Sequence, residues 1–314
     1  MPFELGKNLH LIHVADDYEA VTAWYVDVFD GLAGWVYSPD DFPYLDVEIR
    51  RAELIIIADC CVEPMSPARD VPGWDQAPVG RFLNKFGSRW QTMSWYTEGI
   101  VDLYKHLQDR GTRLYLLGGN HGDDGLDEGL PVVFTHPRDS YGGLEFAAHQ
   151  DTRRPPRPPH RDPRFYPGFD PEWWARNHPL GVRRLGYTTL VVDDLEAATE
   201  FYCNGLNGKV LTETTSRACG TRNRYVSLGT DSVVELANPI GSGSLAAQDL
   251  ALHGPMFHAV TWNVVDLDRT RAHLQDKGVG ILDSDGQTLI ADPKSTYGAV
   301  HRFTTWTPPG DPRD

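Results

Sequence analysis

RLGYTTLVVDDLEAATEFYCNGLNG, from Arg184 to Gly208, restates NLHLIHVADDYEAVTAWYVDVFDG, from Asn8 to Gly31. Each stretch opens with a short apolar run, meets an acidic residue, and continues with helical periodicity. That pattern predicts a strand feeding a helix capped by Asp17 in one copy and by Asp194 in the other. Two further pairs of strings repeat in the same order. SRWQTMSWYTEGIVDLYKHLQDRG (88–111) matches PMFHAVTWNVVDLDRTRAHLQDKG (255–278), and HPRDSYGGLEF (136–146) matches DPKSTYGAVHRF (292–303). The offsets drift from 177 (His10 to Tyr187) through 167 (Gln91 to His258) to 156 (Glu145 to His301), as loop-length changes within a tandem duplication would make them.

Each copy contains the strand-helix unit twice, with Gly111 and Gly278 as expected helix terminators. The runs YLDVEIRR and ELIIIAD in the first copy, and RYVSLG and SVVELAN in the second, read as meander strands. The expected fold class is therefore α+β, with four βαβββ modules forming two tandem domains at 5–150 and 183–307. A Pro-rich linker (151–182) joins them and a short tail (308–314) follows. The linker carries eight prolines, which forbid continuous helix or central strand. Its Phe165, Tyr166, Trp173 and Trp174 predict that it is pinned across a domain surface.

A net charge of −15 over 314 residues argues against nucleic acid or an anionic membrane as partner, because both are bound through basic patches. A small-molecule substrate is expected; homo-oligomerisation is not legible in the sequence. The four cysteines lack metal-finger spacing, and MPFELGKN shows no secretory pattern. No apolar run has the length of a membrane span, so a cytoplasmic location is expected.

VVDDLEAATEFY, HAVTWNVVDLD and DPKSTYGAVHRF resemble the vicinal oxygen chelate superfamily, which holds the glyoxalases, methylmalonyl-CoA epimerases, extradiol dioxygenases and bleomycin-resistance proteins. The resemblance spans the chain apart from the linker and tips. It implies paired modules whose sheets close into a cleft bearing a divalent metal (Fe, Mn, Zn, Co or Ni) held from the first and last strands of each module. Carried onto this sequence, the ligand positions fall on His10, Ile56, Gln91 and Glu145 in the first half, and on Tyr187, Glu235, His258 and His301 in the second. Ile56 cannot bind metal, which leaves His10, Gln91, Glu145, Glu235, His258 and His301 as expected ligands. Imidazole nitrogen and carboxylate oxygen suit a divalent ion that keeps positions open for a chelating substrate.

If neighbouring modules pair, each half closes its own cleft, and a cut near Pro158 leaves two soluble halves. If the first module pairs with the fourth, His10, His258 and His301 meet instead. The linker favours the former. The resemblance further implies proton transfer beside a metal-polarised carbonyl, in an isomerase, epimerase or lyase, with Glu145, Glu235 and Tyr187 as catalytic candidates. A ring-cleaving dioxygenase is the alternative, weakened by Tyr187 and His301 at positions where those enzymes carry His and Glu. A metal-free ligand-binding or resistance protein is a third reading. Trp95, Trp262 and Phe303 are expected to wall the pocket, which would suit an aromatic substrate.

Overall fold

The computed structural model describes residues 2–33, 49–116, 132–148 and 162–314. The first sheet contains β1 (Glu4–Val14), β2 (Arg50–Ala52), β3 (Ile55–Ile57), β4 (Cys60–Pro67), β5 (Arg89–Glu98), β6 (Leu114–Leu116), β7 (Val132–Thr135) and β8 (Gly143–Ala148). Their order is β2-β4-β1-β5-β8-β7-β6, with β3 also on β4. The second sheet contains β9 (Val182–Val191), β10 (Lys209–Ser216), β11 (Thr221–Leu228), β12 (Ser232–Pro239), β13 (Met256–Val264), β14 (Ile281–Ser284), β15 (Thr288–Ala291) and β16 (Val300–Thr304). Its order is β10-β11-β12-β9-β13-β16-β15-β14. Each sheet joins two βαβββ modules through antiparallel pairing of their first strands, β1 with β5 and β9 with β13, so neighbouring modules pair.

The repeated strings become equivalent elements for identifiable reasons. Asp17 accepts from the amide of Ala20, and Asp194 accepts from the amides of Glu196 and Ala197, starting the helices Tyr18–Phe29 and Leu195–Glu200. The helices Ile100–Asp109 and Leu267–Asp276 end just before Gly111 and Gly278, both in the left-handed region at φ 81° and 71°. Among the described residues no helix is long and apolar enough to cross a membrane. All four cysteines are free thiols.

One face of each sheet, together with the helices, contributes to a single hydrophobic core that spans both halves. Trp90, Trp95 and Trp262 are fully buried in it. At about 25 cal/mol/Å² and 150–250 Å² per ring, each contributes about 4–6 kcal/mol of transfer free energy as an upper estimate. Polar groups cross the same interface. The indole of Trp90 donates to Val300 O at 3.0 Å, that of Trp95 to Ser232 Oγ at 3.0 Å, and His273 Nε2 to Val28 O at 2.8 Å. The linker adds Trp174, whose indole donates to Phe29 O at 2.9 Å, and the buried Arg164, which donates to Leu9 O at 2.7 Å. The two halves therefore share one large core, beside smaller clusters that each half keeps to itself. Pro158 itself lies outside the described residues.

Candidate active site

The opposite, inner face of the first sheet carries a compact charged cluster. His10, Ile12 and Val14 share that face of β1. β4 runs parallel beside it with Ile12 paired to Glu63, so Glu63 points the same way. Glu145 is carried by β8, two strands beyond β1. A flat sheet would hold β1 and β8 about 9–10 Å apart. The reach of the two side chains spans that gap, and His10 Nε2 lies 3.1 Å from Glu145 Oε2 and 3.5 Å from Glu63 Oε2. Arg50 on β2 donates to Glu63 Oε1 at 2.8 Å. Burial alone would lower the His10 pKa, but the charges of Glu145 and Glu63 outweigh it and hold the imidazole above its ordinary value.

The sequence pattern points to Ile56 at this position, whereas the structure places Glu63 there. Residues 60–67, CCVEPMSP, carry Pro64 and Pro67, and proline argues against a strand interior. Yet β4 is the strand parallel to β1, as β12 is to β9, and the equivalent pairs are Ile12–Glu63 and Thr189–Glu235. The usable signal was the Val-Glu dipeptide shared by CCVEP and SVVEL. Gln91 sits where β5 slips against β1 between the pairs Ile12–Thr92 and His13–Trp90, and is half-buried. His258 occupies the matching irregularity between Phe257 and Ala259 on β13.

In the second half the inner face is closed by an internal ion pair. Arg302 Nη1 donates to Glu235 Oε2 at 2.9 Å, and Glu235 also accepts from Thr189 Oγ1 and Tyr225 OH, both at 2.6 Å. Arg302, not His301, stands at the position of Glu145: Thr261 pairs with Arg302 as Ser94 pairs with Glu145. Aligning the copies on the shared Tyr-Gly turn misplaces the strand by one residue. Aligning on the shared Phe146 and Phe303 sets LEF against HRF and puts Arg302 opposite Glu145. Tyr187 packs edge-on against Tyr225, and its hydroxyl is pushed up by burial and by the Glu235 charge. His258 Nδ1 lies 2.6 Å from Asp249 Oδ2. Burial opposes ionisation of Asp249, but bonds from His258 and Arg89 hold it below the usual carboxylate range, while burial lowers the His258 imidazole.

His301 points the other way, into the interface between the halves. The indole of Trp262 donates to His301 Nδ1 at 3.0 Å, so the Nε2 of the neutral ring carries the proton and faces Tyr25 OH at 3.4 Å. His13 Nε2 faces the Tyr297 carbonyl at 3.0 Å and must donate there, leaving Nδ1 to accept from Tyr25 OH at 3.0 Å. Burial holds His13 at about 4 and drives His301 well below the usual histidine value. Both rings are structural and neutral. The expected pocket wall moves with them: Trp95 stacks on Phe146, and Trp262 and Phe303 pack on Phe29, all on the interface side. Their support for an aromatic substrate is thereby lost. Tyr141 and Tyr297 sit in matched turns at positive φ, 60° and 51°.

Among the described residues, no three His, Cys, Asp or Glu side chains stand ready in metal-binding geometry. In the first-half cluster the His10 imidazole lies against the carboxylates of Glu145 and Glu63. Its donor set nonetheless fits a divalent ion. Glu63 Oε2 is buried with no hydrogen-bond partner among the described residues, and it faces the same His10 Nε2 that Glu145 meets. The separations of 3.1 and 3.5 Å also match the edge of a polyhedron whose ligands stand about 2.1 Å from its centre. In the second half Arg302 brings its own cation to that place, and the residues present do not fit a metal.

The sequence model of the Glyoxalase/Bleomycin resistance protein/Dioxygenase superfamily matches residues 184–294. No curated protein matches the chain. Among solved structures, a triple mutant of 4-hydroxymandelate synthase from Streptomyces coelicolor is similar over 96% of this chain and 93% of its own, at 11% identity and a TM-score of 0.62. At that identity it shows a shared fold. Methylmalonyl-CoA epimerase from Mycobacterium tuberculosis is 23% identical over 39% of this chain and 87% of its own, with a TM-score of 0.37.

Proposed function

We propose, taking the match of residues 184–294 to the glyoxalase, bleomycin resistance protein and dioxygenase superfamily to extend over the whole chain, that its first half is the working centre of a metal-dependent enzyme. It moves a proton beside a carbonyl or hydroxyl carbon of a small oxygen-chelating substrate, in isomerase, epimerase or lyase chemistry. The observation that carries this reading is the meeting of His10, Glu63 and Glu145 on one inner face, against the internally neutralised Glu235–Arg302 pair in the equivalent place.

His10, Glu63 and Glu145 would hold a divalent cation, which when bound polarises a chelated carbonyl and makes the neighbouring C–H more acidic. The two carboxylates differ in restraint. Glu63 is fixed by Arg50, and its side chain is 1% exposed. Glu145 meets His10 and is the more exposed of the two, at 8%. Glu63 is therefore the fixed ligand, and Glu145 is the group with freedom to take and return a proton. Arg50 keeps Glu63 oriented and adds a positive charge beside the substrate oxygens.

Elemental analysis of protein reconstituted with Fe, Mn, Zn, Co or Ni tests the reading. About one ion per chain is expected, with affinity reduced by about 10-fold or more in Glu63→Gln and His10→Ala, and unchanged in His258→Ala. Wild-type protein that retains no ion, or a His258→Ala variant that loses it, overturns the proposal. Once a substrate is found, solvent deuterium should exchange into it without O₂ uptake; coupled O₂ uptake would favour a dioxygenase.

A further inference from the structure

The tripeptide Asp-Pro-Arg follows each sheet, as Asp162–Pro163–Arg164 after the first and as Asp311–Pro312–Arg313 after the second. Both fold alike. Asp162 accepts from the Arg164 amide at 3.0 Å and from its Nε and Nη2 at 2.9 and 2.6 Å. Asp311 accepts from the Arg313 amide at 3.0 Å and from its Nε and Nη2 at 2.8 and 2.6 Å. All four side chains are buried.

Each guanidinium then reaches equivalent backbone carbonyls of its own half. Arg164 donates from Nη2 to Leu9 O at 2.7 Å and from Nη1 to Asp59 O at 3.1 Å. Arg313 donates from Nη2 to Gly186 O at 2.7 Å, and from Nη1 to Leu185 O at 2.7 Å and Asp231 O at 3.0 Å. Leu9 and Gly186 immediately precede His10 and Tyr187. Asp59 and Asp231 immediately precede β4 and β12, the strands that carry Glu63 and Glu235. The duplication therefore includes this clasp, although one copy lies in the linker.

His10 sits where the sheet alone holds it least. Asn8 pairs with Trp95 and Leu11 with Met93, so Leu9 and His10 together oppose Ser94 in a bulge. On the other side, β4 pairs with β1 from Leu11 onward. Arg164 bonds the chain just ahead of that register. The Leu9 carbonyl and the His10 nitrogen belong to one planar peptide unit, so fixing the first orients the second. Asp162 also accepts from Tyr96 OH at 3.1 Å, and Tyr96 pairs with Ala147, two residues beyond Glu145.

We infer that Arg164 is a positioning residue for His10 and, through Asp59, for Glu63, so that the end of the linker is part of the first-half centre. Its consequence for metal binding rests on the metal-dependent reading proposed above. Arg313 supplies the internal comparison, because its clasp holds the half whose residues do not fit a metal. It reaches the first half less directly, through Asp231, whose Oδ1 accepts from Asn8 N at 2.8 Å.

Co(II) is the probe, since its visible absorption reports ligand geometry. Asp162→Asn with Arg164→Met, and Asp311→Asn with Arg313→Met, each remove one clasp without stranding a buried carboxylate. With native circular dichroism confirmed, the first double variant should bind Co(II) about 10-fold or more weakly than wild type, with an altered spectrum. The second should bind as wild type does. Arg164→Lys keeps a charge beside Asp162 but loses the planar fork; it should weaken binding in the same direction, and it carries the test if the double variant does not fold. Equal weakening by both double variants, or wild-type affinity and spectrum in the folded Arg164 variants, overturns the inference. If wild type binds no Co(II), the metal reading fails and positioning is read in the metal-free protein instead. There the His10 ring resonances, assigned with His10→Gln, should move in the Arg164 variants and not in the Arg313 variant; unmoved resonances in the Arg164 variants overturn the inference.

Discussion

Acidification should loosen the joint between the halves, and His13 sets the size of the effect. Its imidazole titrates at about 4 in the folded chain against an ordinary value of 6.5. Between those values the unfolded chain binds the proton and the folded chain does not, so stability is fully present above pH 6.5 and falls as pH drops toward 4. The lost stability is about 2 kcal/mol at pH 5 and about 3 kcal/mol below pH 4. Protonation would give His13 Nδ1 a hydrogen facing Tyr25 OH, whose own proton now bonds that nitrogen. His301, also depressed, acts in the same direction, whereas His10, whose pKa is raised, acts in the opposite one. A variant isolates the His13 contribution. His13→Gln keeps an N–H within reach of the Tyr297 carbonyl but cannot titrate. Urea unfolding followed by tryptophan fluorescence at pH 7.5 and pH 5.0 should show wild type losing about 2 kcal/mol more than His13→Gln. Parallel losses in the two proteins would refute the assignment of a neutral, structural His13.

Arg302→Met strands a buried carboxylate at Glu235 and should cost about 3–5 kcal/mol, whereas Arg302→Met with Glu235→Gln should restore stability to within about 1 kcal/mol of wild type, both read by urea unfolding. The halves 1–160 and 161–314, produced separately, should aggregate through the exposed faces around Trp90, Trp95 and Trp262, and should assemble when co-expressed; two soluble monomeric halves would contradict the shared core. Trp174→Phe removes the indole bond to Phe29 O and should destabilise by about 1–2 kcal/mol in thermal or urea unfolding, with no change in metal content.

The sequence determined the repeat, the module order, the caps at Asp17 and Asp194, and the two helix stops at Gly111 and Gly278, because these depend on interactions within a few residues of chain. It also identified His10, Glu145 and Glu235 as inward-facing groups. Only tertiary structure decided which of their neighbours joined them. A strand's side chains alternate faces, so a slip of one residue moves a side chain from the inner face to the interface. That single step separates His301, buried between the halves, from Arg302, which neutralises Glu235. The position of Glu63 depended on which of two short runs pairs parallel with β1, a long-range choice that its flanking prolines concealed. The shared core was hidden for a related reason. Apolar alternation marks a face as buried and does not say against what, so Trp95, Trp262 and Phe303 could read as the wall of a pocket until the second sheet stood opposite them.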